Sequence, residues 1–222
     1  MPIIVLEGLD AAGKATNAAR LLKRVNLSGR EGVIYSFPRY ETTVGKAILR
    51  HLKSEIVLRE SRDGEDGTRS EGQRIYTKAP EDALAFQCLM LADKYDAAAD
   101  INTDLRAGKV VICDRWTPSA LAFGAADGLD TEWLTRVQER LPKGDINIFI
   151  DVPEEEALRR RPKLRDRYEI NRELQLRVRD NYRTMWSVGG VWRTVDGVGT
   201  EDEVHDRIWK IVSPMIIGGS SR

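Results

Sequence analysis

The chain has 222 residues, 35 basic and 35 acidic, with ordinary apolar content. That length suits one domain around a single core, and the even charge balance argues against extended nucleic acid as a partner. No apolar run is long enough to span a membrane and residues 1–6 are too short for a secretory leader, so a cytoplasmic location without membrane attachment is expected.

Residues 2–6, 33–37, 109–113, 146–150 and 191–195 are short runs rich in Val and Ile, without strict alternation. Strands covered on both faces have this pattern, and helix-length segments separate them. The rhythm predicts an α/β fold: a five-stranded parallel sheet flanked by helices.

The first run leads straight into Gly8-Leu9-Asp10-Ala11-Ala12-Gly13-Lys14-Ala15-Thr16, which opens a helix. The spacing of Gly8, Gly13 and Lys14 is that of the phosphate-cradling loop, G-x-x-x-x-G-K. Its backbone N–H groups and the helix N-terminus surround a polyphosphate, and the lysine bridges the terminal oxygens. Residue 15 departs from the pattern, because Ala15 has no hydroxyl for Mg²⁺. Thr16 points about 100° away on a helix and does not simply substitute.

Residues 54–78 carry Gly64, Gly67 and Gly72 among many charges and read as a surface loop or insertion. A long helix is predicted over 81–105, with Leu84, Cys88, Leu91, Tyr95, Ala98 and Leu105 as the core-facing stripe and Phe86, Met90 and Lys94 as a second row. A helix over 201–212 follows the last strand, and 216–222 are read as a flexible tail. Cys88 and Cys113 make no disulfide framework and read as buried free thiols. His51 and His205 stand alone in the sequence and read as surface residues.

Further motifs sit at the strand ends: Phe37-Pro38-Arg39-Tyr40, Asp114-Arg115-Trp116, Asp151-Val152-Pro153 with Glu155, Ala157 and Leu158, and Asp166-Arg167-Tyr168-Glu169. With Glu7-Gly8-Leu9-Asp10, this ordered set resembles the thymidylate kinases, a family of P-loop nucleoside monophosphate kinases, over nearly the whole chain. The resemblance implies a three-layer P-loop kinase fold in one domain over 1–215 and transfer of the γ-phosphoryl group of ATP to dTMP. It also implies Mg²⁺ as the cofactor and a homodimer.

The chemistry of the residues agrees with that likeness. Phosphoryl transfer between anions needs positive charge around the moving group, and open α/β sheets bind ligands past the C-terminal ends of their strands. Lys14, Arg39 and Arg115 are therefore the candidate catalytic cations, and Asp114 the candidate holder of Mg²⁺ or its waters; a helix cap is the other reading of Asp114. Arg159, Arg160, Arg161, Lys163, Arg165 and Arg167 form the densest basic run. Arg165 and Arg167 read as catalytic residues of a lid over 159–169. Arg159 reads either as an ATP contact in that lid or as a charge complementing a helix dipole.

Carried over residue by residue, the resemblance implies ATP binding by residues 8–16, Asp196 and Val198. It implies acceptor binding by Asp10, Phe37, Pro38, Arg39, Phe86, Met90, Lys94, Arg115, Trp116, Phe123 and Tyr168. Metal contacts are implied for Asp10, Asp114 and Glu169. Phe86 and Met90 are equally readable as second-layer core, and Trp116 as plain core. Where the family stacks a Phe on thymine and binds the base with an Arg, this chain has Met90 and Lys94, which leaves open a kinase of broader or different base preference. Ala15 leaves open a catalytically weak P-loop binding protein.

Overall fold

The computed structural model describes residues 1–53, 80–160, 171–185 and 191–218. The strands are β1 (Ile3–Glu7), β2 (Gly32–Ser36), β3 (Val110–Asp114), β4 (Ile146–Asp151) and β5 (Trp192–Asp196), none displaced by more than one residue from the sequence expectation. They form one parallel sheet in the order β2-β3-β1-β4-β5. Leu6 pairs with Asp114 on one side and Ile148 on the other, so the C-terminal ends of three central strands open at one edge.

Helices cover both faces, which is why the strands lack alternation. Ile4, Leu6, Ile112, Ile148 and Ile150 pack with Leu21 and Val25 of α1 (Lys14–Leu27) and Ile208 and Val212 of α8 (Glu201–Ile217). Ile3, Val5, Val111 and Cys113 point the other way, onto Trp116 and onto Ala97 and Ile101 of α3 (Pro80–Arg106). Each fully buried Ile, Leu or Val contributes about 1.5–3 kcal/mol. The remaining helices are α2 (Thr43–Leu52), α4 (Thr117–Ala126), α5 (Thr131–Arg136), α6 (Glu154–Arg160) and α7 (Arg172–Met185).

Two helix starts differ in a way that matters for the site. Thr200 and Glu203 close a reciprocal capping box on α8, so that N-terminus is satisfied by its own side chains. α1 follows Gly13 as its N-cap, at φ 90° with no side-chain cap and no acid in the first turn. Its positive end is left for an outside anion.

Several expectations need correction. The buried face of α3 is the row of Phe86, Leu91, Lys94, Ala97 and Ile101, while Leu84, Cys88 and Tyr95 are exposed. Apolar residues lie around much of this helix, so periodicity alone did not single out the face that the sheet covers. Cys113 is buried as expected, but Cys88 is not. Both histidines are buried; His51 stacks on Phe86 with ring centroids 4.8 Å apart. α8 continues to Ile217 with Ile216 in the core, so residues 216 and 217 belong to the helix and not to a tail. The insertion at 54–78 and lid residues 161–169 lie outside the described residues.

Candidate active site

The phosphate loop is built at the end of β1. A Cβ on Gly8 would lie 2.8 Å from the Ile150 carbonyl oxygen, so the loop runs hard against β4 where only glycine fits. Ala11 at φ 61° and Gly13 at φ 90° are both left-handed and turn the loop back to α1. Lys14 is buried, and its Nζ donates to the carbonyls of Leu9 (2.8 Å) and Gly8 (3.2 Å). Burial, followed by the Arg115 charge, lowers its pKa from 10.5 to about 8, against the pull of Asp10, Asp114 and Glu7. Ala15 and Thr16 are exposed on the first turn of α1.

Beside the phosphate loop lies a pocket between the β2–α2 loop, α3 and α4. Asp10, Pro38, Phe86, Met90, Lys94, Arg115 and Phe123 line it, all anticipated from the sequence. Tyr40, Leu52, Gln87, Ser119 and Ala120 also line it and were not. Tyr40 was legible as the last residue of the Phe37-Pro38-Arg39-Tyr40 motif; the others carry no sequence signal. Phe86 and Met90 serve the core as well, within one apolar cluster that includes Leu9 and Phe149.

Arg115 follows β3 directly, at φ 66°. Its guanidinium donates to Asp10 Oδ1 at 2.9 Å and lies 5.2 Å from the centre of the Phe123 ring. Burial works against its charge, but Asp10, the Tyr182 hydroxyl, Glu7 and Asp114 outweigh it and hold the pKa above its ordinary value. Lys94 is 1% exposed, and its Nζ has no hydrogen-bond partner among the described residues. Burial is again the main cause of a pKa lowered from 10.5 to about 8, with Glu7 and Asp93 opposing it. A buried ammonium with no partner among the described residues is able to donate to an acceptor that enters the pocket.

Other expected residues are held elsewhere. Arg39 does not line the pocket: its Nε donates to Asp93 Oδ1 at 2.9 Å and its Nη2 to the Asp93 carbonyl at 2.9 Å, and it also pairs with Asp96. Its backbone N–H donates to the same Asp93 carboxylate, so the residue ties the cis Phe37–Pro38 loop to α3. Phe37 and Trp116 pack together in the core, 4.8 Å between ring centroids, and the Trp116 indole N–H donates to the Pro142 carbonyl. Arg159 is exposed and paired with Glu156 in its own helix. Asp196 ends β5 and Val198 follows in an exposed loop; the carbonyls of both accept from Arg207. Arg165, Arg167, Tyr168 and Glu169 lie outside the described residues.

Among the described residues no three His, Cys, Asp or Glu side chains gather as a metal site. Asp10 and Asp114 both bear on Lys14. Two carboxylates at a phosphate loop fit an ion that takes most of its ligands from phosphates and water.

A family model described as "Thymidylate kinase" matches residues 6–208. A "Probable thymidylate kinase" of Pyrococcus horikoshii is 33% identical over 219 residues, covering 97% of each chain. A "Thymidylate kinase" of Arabidopsis thaliana is 29% identical over 210 residues, covering 95% of this chain and 70% of that one. A solved structure of thymidylate kinase from Candida albicans superposes with a TM-score of 0.74 at 23% identity, covering 96% and 92% of the two chains.

Proposed function

The chain belongs to the thymidylate kinase family of phosphotransferases, and on that premise we propose that it carries the γ-phosphoryl group of ATP to dTMP through the cleft between Lys14 and Arg115. The observation that carries this reading is the pocket itself. It opens beside the phosphate loop through Asp10 and Arg115, and ends on apolar side chains with Lys94, whose ammonium has no partner among the described residues.

ATP lays its phosphates in the Gly8–Lys14 loop, on the uncapped N-terminus of α1. Lys14 leaves its carbonyl contacts for the phosphate oxygens. Arg115 lines the pocket beside the loop, held on Asp10, and neutralises charge on the acceptor phosphate and the group in flight. Because Asp10 already holds the Arg115 guanidinium before substrate arrives, little reorganisation of that cation is left for the reaction itself. Mg²⁺, held by Asp114 and Asp10 with phosphate oxygens and water, would spread the charge of the transferring group.

At the far end of the pocket the thymine ring lies between Phe86, Met90 and Phe123, and Lys94 donates to its 4-carbonyl oxygen. The 4-amino group of cytosine meets the same ammonium donor to donor, which leaves buried groups unpaired. Arg39 acts as the tie between the Pro38–Tyr40 segment and α3. The exposed row of Leu84, Cys88 and Tyr95 on α3 offers the face for a homodimer. No helix among the described residues is long and apolar enough to cross a membrane, and nucleotide substrates fit a cytoplasmic enzyme.

The test is an ATP-coupled assay against dTMP, dUMP, dCMP, dGMP and UMP. dTMP should give the highest kcat/KM, with dUMP lower by about 5- to 150-fold, the cost of one methyl at about 1–3 kcal/mol. No transfer to any acceptor, or dCMP as the best one, refutes the reading.

A further inference from the structure

Glu7 is an acid at the end of an otherwise apolar strand, completely buried, and nothing in phosphate binding requires it there. Its Oε1 accepts the Trp116 backbone N–H at 2.9 Å. Its Oε2 accepts the Ser119 hydroxyl at 2.6 Å and the Tyr182 hydroxyl at 2.8 Å. These partners come from the turn after β3, from α4 and from α7.

They surround Arg115. The Arg115 N–H donates to the Leu6 carbonyl at 2.9 Å, and the next N–H along the chain is the one that Glu7 accepts. Two successive amides are thus pinned to β1, and the residue between them stands at φ 66°. An L-residue avoids that region unless its surroundings over-determine it. Tyr182 adds a further hold, since Arg115 Nη1 lies 3.5 Å from its hydroxyl. The Tyr182 ring stacks on Phe149, 5.1 Å between centroids, so the hydroxyl is itself fixed.

We propose that Glu7 is a positioning residue: its carboxyl group holds the Arg115–Trp116 peptide in the left-handed turn that sets Arg115 in the pocket lining, and ties that turn to Tyr182 on α7. This rests on the role given above to Arg115. Glu7 touches neither nucleotide. Without it the turn relaxes toward a right-handed or extended backbone, and the guanidinium leaves the acceptor phosphate while the Gly8–Lys14 loop still holds ADP or ATP.

The experiment measures dTMP and ADP affinity by calorimetry on the full chain, for Glu7→Ala and Glu7→Gln, each also in an Arg115→Ala background. Glu7→Ala should weaken dTMP by about tenfold or more and ADP by less than about threefold. Glu7→Gln keeps an acceptor oxygen for the Trp116 N–H and should recover most of the loss. With Arg115 already removed, Glu7→Ala should cost dTMP less than about a further threefold, since a group that acts through another is not additive with it. If Glu7→Ala does not fold, Tyr182→Phe carries the test, with a loss of dTMP affinity of about threefold that vanishes in the Arg115→Ala background. Equal losses for dTMP and ADP, or a full loss that persists without Arg115, overturn the positioning role. If Arg115→Ala alone leaves dTMP affinity intact, the assignment of Arg115 to the acceptor fails. If Arg115→Ala weakens dTMP and Glu7→Ala does not, only the inference about Glu7 fails.

Discussion

Replacing Lys94 by Met should stabilise the ligand-free protein and at the same time weaken its hold on dTMP. The Lys94 ammonium is 1% exposed and makes no hydrogen bond among the described residues. Its pKa falls from 10.5 to about 8, a displacement worth about 3 kcal/mol against the charged form. Met has similar length and no charge to desolvate, so most of that cost, about 2–3 kcal/mol, should return as stability at neutral pH. In a chain of this size that corresponds to about 5–10 °C in Tm. The sign with pH follows from the lowered value. Between about 8 and 10.5 the unfolded chain binds a proton that the folded one does not, so the penalty is complete below 8 and disappears as pH rises toward 10.5. Lys14 is lowered to about 8 as well, so the diagnostic quantity is the difference between variant and parent. Calorimetric melting of both proteins without nucleotide, at pH 6.5, 8 and 9.5, should show a gain that shrinks as pH rises. The same variant should lose about 10- to 100-fold in kcat/KM for dTMP, the worth of a charge-assisted hydrogen bond. A variant that melts at or below the parent at pH 6.5, or whose gain is the same at pH 9.5, refutes the reasoning.

Arg39→Ala strands the Asp93 carboxylate, whose side chain is 1% exposed, and should cost about 3–5 kcal/mol in urea unfolding while raising the dTMP KM more than the ATP KM. Unchanged stability with a raised dTMP KM would mean that Arg39 grips the acceptor phosphate directly. Ala15→Ser puts a hydroxyl on the exposed first turn of α1, beside the phosphate loop. A magnesium titration of activity should give a half-maximal concentration equal to or below the parent's, because one ligand is added to an ion otherwise held by phosphates, water and two carboxylates. A folded but inactive Ala15→Ser protein overturns that coordination scheme.

The sheet and the phosphate loop were written locally in the chain. A buried parallel strand is a run of a few apolar residues, and Gly8, Gly13 and Lys14 work through the backbone of one short loop, so neither needs distant partners to be recognised. The pocket side chains Pro38, Phe86, Met90, Lys94 and Arg115 were likewise legible, since each sits in a strand-end motif or a helical row, whereas Phe123 came only through the family resemblance. What the sequence left open was decided between segments far apart. Which face of α3 is covered depends on where β3 and α4 lie, and a helix with apolar residues around much of its surface does not choose for itself. Arg39 looks like a phosphate ligand in isolation, and only the approach of α3, 54 residues later, gives its guanidinium to Asp93. Glu7 and Tyr182 are 175 residues apart and meet at 2.8 Å only because β1 lies central in the sheet and α7 packs across its end. A hydrogen bond of that kind leaves no period or motif in either segment. It exists because burying a carboxyl group demands donors, and the fold brings them together from different parts of the chain.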